Sequence, residues 1–260
     1  MVVGVIKNKQ GRSDIKMKVL IVGGAGYLGS IVVPVLEKEF DCFHLDLISV
    51  KGAKRPTTIA DVRSDEAVVG AVSGMDVVLY MPLGRQNNPM RGRTNDPEHI
   101  GAAFDVNVQG LYRYLSHSLK AGCQKFIYVS SMSVYSNLSS YPVPLDENTP
   151  ANSWLAYGMS KRTGEFICQC ASEKYPSATI TSLRIFAPMS EEKWNIKEQT
   201  KNPKWDACCT GPKDSRRLFV AAVKLEKPGF HIVNTCGDPD GKFFPNARAT
   251  DLLGWKPAGE

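Results

Sequence analysis

The sequence predicts an α/β protein built on a doubly wound parallel sheet. Three observations predict it. Short apolar runs of strand length alternate with longer segments of helical periodicity, the pattern of a parallel sheet covered on both faces. A glycine-rich turn stands between the first run and the first helical segment. The composition, 43% apolar and 22% charged, is that of an ordinary globular chain, and no apolar run approaches the roughly 20 residues that cross a bilayer.

The elements follow in order. Val19-Leu20-Ile21-Val22 reads as the first strand. A helix over residues 26–40 sets Ile31, Val32, Val35 and Leu36 at helical spacing. Residues 42–47 form a second strand, residues 57–60 a short third one ending at Asp61, and residues 77–80 a fourth. Residues 82–97 hold Gly, Pro, Asn and Arg without periodicity, and a loop of that length in a compact domain is often functional. A helix over residues 100–119 leads to a strand at 126–129. After a loop at 137–152 come a helix over 154–173 and a sixth strand at 180–185. The signal then weakens, leaving a helix near 215–225, a strand near 231–235 and a short helix near 247–253. Residues 1–16 read as a flexible extension, 17–188 as the domain that carries the chemistry, and 189–260 as a small substrate-binding lobe that completes the fold.

Charge narrows the function. Of the net +6, four charges come from Lys7, Lys9, Arg12, Lys16 and Lys18 against Asp14. The remainder is nearly neutral, which argues against nucleic acid as a partner. The start has its apolar piece before its basic residues, the reverse of a secretory signal, so a cytoplasmic protein without a membrane partner is expected. The seven cysteines show no C-x-x-C spacing, so no metal site is expected and the thiols read as small buried residues.

The glycine turn is Gly23-Gly24-Ala25-Gly26-Tyr27-Leu28-Gly29. In a strand–turn–helix setting Gly23 permits the tight turn, Gly26 close approach of the backbone to a pyrophosphate, and Gly29 close packing of helix on sheet. The free N–H groups of the helix start face the phosphates. Asp46 closes the second strand 17 residues beyond Gly29. A carboxylate there accepts from the adenine ribose hydroxyls and repels a 2′-phosphate, so the expected cofactor is NAD rather than NADP.

Tyr157 and Lys161 stand four apart on one predicted helix, hence on one face. A tyrosine titrates near pH ~10, and a neighbouring ammonium favours its phenolate. The pair therefore suits a general base that takes a hydroxyl proton while hydride leaves the same carbon. Ser131, just past the strand at 126–129, places a hydroxyl for the substrate oxygen.

These residues in this order resemble the short-chain dehydrogenase/reductase superfamily, specifically its extended, epimerase-like branch, over about residues 18–188. The resemblance implies further roles. Asp61, with Val62 beside it, maps onto the acid that contacts adenine. Asn107 in Asp105-Val106-Asn107-Val108-Gln109-Gly110 maps onto the structural and active-site asparagine. Ile185 and Phe186, at the end of Leu183-Arg184-Ile185-Phe186, map onto the edge of the nicotinamide pocket. Met81-Pro82-Leu83-Gly84 replaces the family's run of small residues, so Met81 and Leu83 form an altered cofactor wall. A homodimer through the helices at 100–119 and 154–173 is likewise implied.

Three reactions compete: a dehydrogenase for a small sugar or sugar acid, a nucleotide-sugar epimerase or dehydratase, and a non-catalytic NAD-binding module. About 75 residues follow the sixth strand, fewer than the lobe that epimerases of this branch devote to a nucleotide diphosphate. Dehydratases carry an Asp-Glu pair where Met132 and Ser133 stand. The layout is similar to that of the uronate dehydrogenases, including the closing Leu-Gly-Trp-Lys-Pro. Two departures lie in the pocket. Met132-Ser133 stands in place of an Asn-His pair, and residues 188–197 hold Lys193 and Lys197 but no arginine. Substrate contacts are therefore expected from Ser131, Met132, Ser133, Tyr157 and Phe186, with Arg85 the loop cation placed to bind an anionic group.

Overall fold

The computed structural model describes residues 16–84, 97–138, 145–196 and 203–259. The chain alternates β1 (Lys18–Val22), α1 (Tyr27–Glu39), β2 (Asp41–Asp46), β3 (Thr58–Ile59), α2 (Asp65–Val72) and β4 (Val77–Tyr80). Then follow α3 (Pro97–Phe104), a π-helical stretch (Asp105–Gly110), α4 (Leu111–Lys120), β5 (Lys125–Ser131), a 3₁₀ turn (Met132–Val134), α5 (Ala156–Lys174) and β6 (Thr179–Ile185). The remaining elements are α6 (Glu191–Asn195), α7 (Pro203–Cys208), α8 (Pro212–Lys224), β7 (Gly229–Thr235) and α9 (Ala247–Leu253).

All seven strands are parallel, in the order β3-β2-β1-β4-β5-β6-β7. The predicted doubly wound sheet is observed. Because strand side chains alternate, Val19 and Ile21 of β1 join one core with α1 and α8, while Leu20 and Val22 join the other with α2, α4 and α5. Both faces of the central strands are therefore apolar, as the continuous Val-Leu-Ile-Val run requires. Strand order reverses between β1 and β4, and the crevice at the carboxyl ends beside that switch is where such sheets bind ligands.

Residues beyond β6 join the same body. β7 extends the sheet along the whole of β6. Trp255 is buried in the core of α1 and α8, its Nε1 donating to the Asp214 carbonyl at 3.0 Å. Thr58–Ile59 is shorter than the strand predicted at 57–60, and Leu47 lies outside β2, exposed. Three helices were not expected: α2, α6 and α7. The signal for α2 was present, since Ser64 caps it by accepting from the Ala67 N–H and Asp65 and Glu66 fill its first turn. Six cysteines are buried and Cys170 is exposed, against the expectation that all are buried.

The predicted helix at 100–119 is interrupted. Tyr80, buried in β4, donates its hydroxyl to the Val106 carbonyl at 2.6 Å, and a Cβ on Gly110 would lie 2.7 Å from that oxygen. The Leu111 N–H reaches five residues back to Val106. Opening the ladder in this way produces a π-bulge, and Asn107 sits within it, fully buried.

Among the described residues no helix is long and apolar enough to cross a membrane, and no group of three metal-binding side chains occurs.

Candidate active site

A cleft of about 730 Å³ opens at the carboxyl ends of β1, β2, β4, β5 and β6. Gly23, Gly26, Tyr27, Leu28, Asp46, Asp61, Val62, Met81, Leu83, Ser131, Ser133, Tyr157, Lys161, Ile185 and Phe186 all line it. Residues spread from Gly23 to Phe186 in sequence are thus brought to one surface.

The glycine turn forms one end. Gly23 has φ +84°, a left-handed conformation, and a Cβ there would lie 2.8 Å from the Pro82 nitrogen. Gly29 does not line the cleft. A Cβ on it would sit 1.9 Å from the Gly24 carbonyl oxygen, so it serves helix packing. Gly26 is the N-cap of α1, without a side-chain cap and with no acidic residue in the first turn. The first N–H groups of α1 consequently have no partner within the helix, and the positive end of its dipole faces the cleft. Asp46 holds the turn's other side: Oδ2 accepts from the Ala25 N–H at 2.8 Å and Oδ1 from the Leu47 N–H at 2.7 Å. Each oxygen retains a second lone pair, and Asp46 lines the cleft. Asp61 pairs with the Arg63 guanidinium at 2.7 Å, whose hydrogen bond holds the carboxyl below the usual carboxylate range.

The other end holds Ser131, Tyr157 and Lys161, the residues expected to react. Tyr157 and Lys161 occupy one face of α5, the Lys161 Nζ lying 5.7 Å from the Tyr157 ring centroid and 4.9 Å from that of Tyr128. Nζ donates to the Val129 carbonyl at 2.8 Å. Burial pulls the Lys161 ammonium down to about 7, against an opposing pull from Glu165. Ser131 Oγ accepts from the Ser133 N–H at 3.1 Å, which orients the hydroxyl at the end of β5. Gly158 allows α5 to approach this turn, since a Cβ there would lie 2.2 Å from the Ser133 carbonyl oxygen.

The lowered Lys161 value has a testable consequence. Below about pH 7 the lysine is charged in folded and unfolded chain alike, and folding carries the full cost of burying it. Between 7 and its unfolded value only the unfolded chain holds the proton, so stability contributed at this site rises with pH. Lys161→Met is therefore expected to be more stable than the parent protein by a margin that narrows from pH 7 toward pH ~10. Urea denaturation across that range measures it, and a constant margin contradicts it.

Two expected residues stand elsewhere. Met132 was expected to touch substrate, but it is fully buried with Val134, Tyr135, Leu145 and Phe244 and does not line the cleft. The 3₁₀ turn rotates it inward, where an apolar side chain gains by leaving water. Asn107 lies behind the wall, its Nδ2 donating to Ser160 Oγ at 3.2 Å and to the Leu83 carbonyl at 3.4 Å, with Oδ1 buried and without a partner among the described residues. It ties α5 to the segment after β4. Arg85 and Lys197 lie outside the described residues.

The sequence reading also overlooked a buried network. Glu165, one turn beyond Lys161, accepts from Ser130 Oγ at 2.6 Å and pairs with Arg184 through both oxygens at 2.8 and 2.7 Å. Arg184 also donates to the Tyr135 hydroxyl at 2.7 Å. The i, i+4, i+8 series Tyr157–Lys161–Glu165 was the available signal. The network joins β5, α5 and β6, the three elements that carry Ser131, Tyr157 and Ile185.

The chain spans about half the length of the first curated relatives it matches. It is 29% identical over 170 residues to N-acetyl-alpha-D-glucosaminyl-diphospho-ditrans,octacis-undecaprenol 4-epimerase of Escherichia coli O157:H7, covering 65% of this chain and 47% of that protein. Among solved structures, glucuronic acid dehydrogenase from Chromohalobacter salexigens superposes with TM-score 0.74 at 20% identity, over 93% of this chain and 84% of the other. A UDP-glucose-4-epimerase from Stenotrophomonas maltophila, solved with bound NAD, superposes with TM-score 0.73 at 17% identity, over 94% of both chains. At such identities the structural likenesses establish the fold. Residues 19–207 match the sequence profile of the NAD dependent epimerase/dehydratase family, and the chain belongs to that family, whose cofactor is NAD.

Proposed function

We propose that the protein oxidises a hydroxyl of a small sugar or sugar acid by hydride transfer, with Tyr157 as general base and Ser131 and Lys161 assisting. The observation that carries this reading is the distribution of acids in the cleft. Its described carboxylates, Asp46 and Asp61, both stand at the glycine-turn end. Beside Ser131 and Tyr157 are Ser133, neutral, and Met132, turned into the core. Elimination needs an acid and a base there, whereas hydride transfer coupled to one proton transfer needs only the tyrosine.

The residues present suit NAD. The uncapped start of α1 and the exposed Gly26 form a cradle for the pyrophosphate. Asp46 would hold the adenine ribose, and Asp61 with Val62 would contact the adenine. Met81, Leu83 and Ile185 would line the path to the nicotinamide, with Asn107 holding that wall from behind. When bound, NAD would supply the acceptor for the hydride released from the carbinol carbon. Tyr157 takes the hydroxyl proton, and the carbon–oxygen bond becomes a carbonyl. Lys161, in the protonated form that it holds below about pH 7, stabilises negative charge on the tyrosine oxygen. Ser131 donates to the substrate oxygen, while Ser133 and Phe186 line the space around it. Arg85 is retained as a candidate contact for an anionic group.

An epimerase reading is favoured by the names of curated relatives such as that of Escherichia coli. Incubation with NAD and a panel of aldoses, uronates, sugar alcohols and nucleotide sugars separates the two. Net formation of reduced nicotinamide with a simple sugar or uronate is expected. Conversion of nucleotide sugars alone, without net reduction, overturns the dehydrogenase reading in favour of the epimerase. Tight NAD binding with no turnover indicates a non-catalytic module.

A further inference from the structure

The segment that follows β6 does not leave the site. Ala187 adopts φ +37°, a conformation costly for a residue with a Cβ, and the chain turns back across the cleft. Pro188 bridges to Thr210 in parallel, with Met189 N–H donating to the Thr210 carbonyl at 2.9 Å. The Ser190 N–H then donates to the Tyr27 hydroxyl at 2.9 Å. Tyr27 lies within the glycine turn, so this bond ties residues 188–195 to the phosphate end of the cleft. Arg216 of α8 clips the same segment from outside. Its Nε donates to the Ile31 carbonyl of α1 at 3.0 Å, and its NH1 pairs with Glu191 at 2.6 Å.

Lys193 rides on this strap. Its Nζ stands 4.5 Å from the Tyr27 ring centroid, and it lines the cleft. The other described cations of the cleft are engaged. Arg63 is paired with Asp61, and Lys161 is buried against the Val129 carbonyl. Among the described residues no carboxylate lies within ion-pair distance of Lys193. A dinucleotide pyrophosphate carries about two negative charges, whereas a helix terminus offers roughly half a positive one. The glycine turn itself contains no basic side chain.

We propose that residues 188–195 form a strap over the dinucleotide's phosphates and that Lys193 supplies the cation the glycine turn lacks. The inference rests on NAD as the family's cofactor and not on the dehydrogenase reading. Binding titrations without turnover therefore separate its failure from a failure of that reading.

The test is calorimetric titration of the parent protein, Lys193→Gln and Lys193→Arg with NAD, ADP-ribose and adenosine. Lys193→Gln is expected to bind NAD and ADP-ribose roughly three- to tenfold more weakly, with adenosine affinity unchanged. Its NAD affinity should also depend less on salt, and Lys193→Arg should restore binding. Because Lys193 is exposed, the urea midpoint of the ligand-free variant should not move. Equal NAD affinity in parent and Gln variant overturns the proposal. An equal loss for adenosine overturns it as well, because the effect is then not on the phosphates. Unchanged NAD affinity with a raised KM for an anionic sugar assigns the lysine to the substrate's acid group instead.

Discussion

Replacing Tyr157 with phenylalanine is expected to lower turnover by roughly 10²–10⁴-fold while leaving NAD affinity nearly unchanged. The phenyl ring keeps its place on α5 and its contact with the cleft, so packing and the Lys161 position survive. Only the oxygen that takes the proton is lost. The effect should fall on kcat rather than KM, because the proton moves in the transition state. Lys161→Met should show a different signature, weakening both turnover and NAD affinity, because the lysine lines the cleft as well as standing beside the tyrosine. Steady-state kinetics with the substrate found in the panel, beside NAD titration, measures both. A Tyr157→Phe variant within tenfold of the parent protein removes the tyrosine as base.

Glu165→Ala is expected to cost about 3–5 kcal/mol of stability. Arg184 is 3% exposed and its guanidinium is bound in the fork of the Glu165 carboxylate. Removing the acid leaves that charge buried without its counter-ion, and Ser130 loses its acceptor as well. Replacing both partners by methionine should cost much less, since no buried charge remains unpaired. Urea denaturation of the two single variants and the double variant gives the coupling. Equal, additive losses contradict the assignment of an ion pair. The double variant is also informative about the site. If the network aligns β5 with α5, turnover should fall in it even where stability is largely recovered.

How far the sequence could be read differs along the chain, for physical reasons. The glycine turn and the Tyr157/Lys161 pair are local: their chemistry depends on neighbours within a turn or two, and helical spacing alone puts Tyr157 and Lys161 on one face. Asp46 and Ser131 are legible because they end strands, and strand ends of a parallel sheet gather on one edge. Met132 failed because a single 3₁₀ turn decides which of two adjacent side chains points to the cleft. Helix periodicity carried no warning of the π-bulge around Asn107, since the Tyr80 hydroxyl that bonds the Val106 carbonyl there stands 26 residues before Val106 in sequence.

The sequence by itself determined the alternation of strand and helix, the parallel sheet, the glycine turn and the Tyr157/Lys161 pair, because each is written in periodicities of two to four residues or in short motifs. The tertiary structure alone decided the rest. It turned Met132 inward, buried Arg184 against Glu165 beneath Lys161, and laid Lys193 over Tyr27. Those pairs are separated by 19 residues in one case and 166 in the other. Such contacts follow from how strands and helices pack and where the chain recrosses the sheet edge, and no local pattern records them.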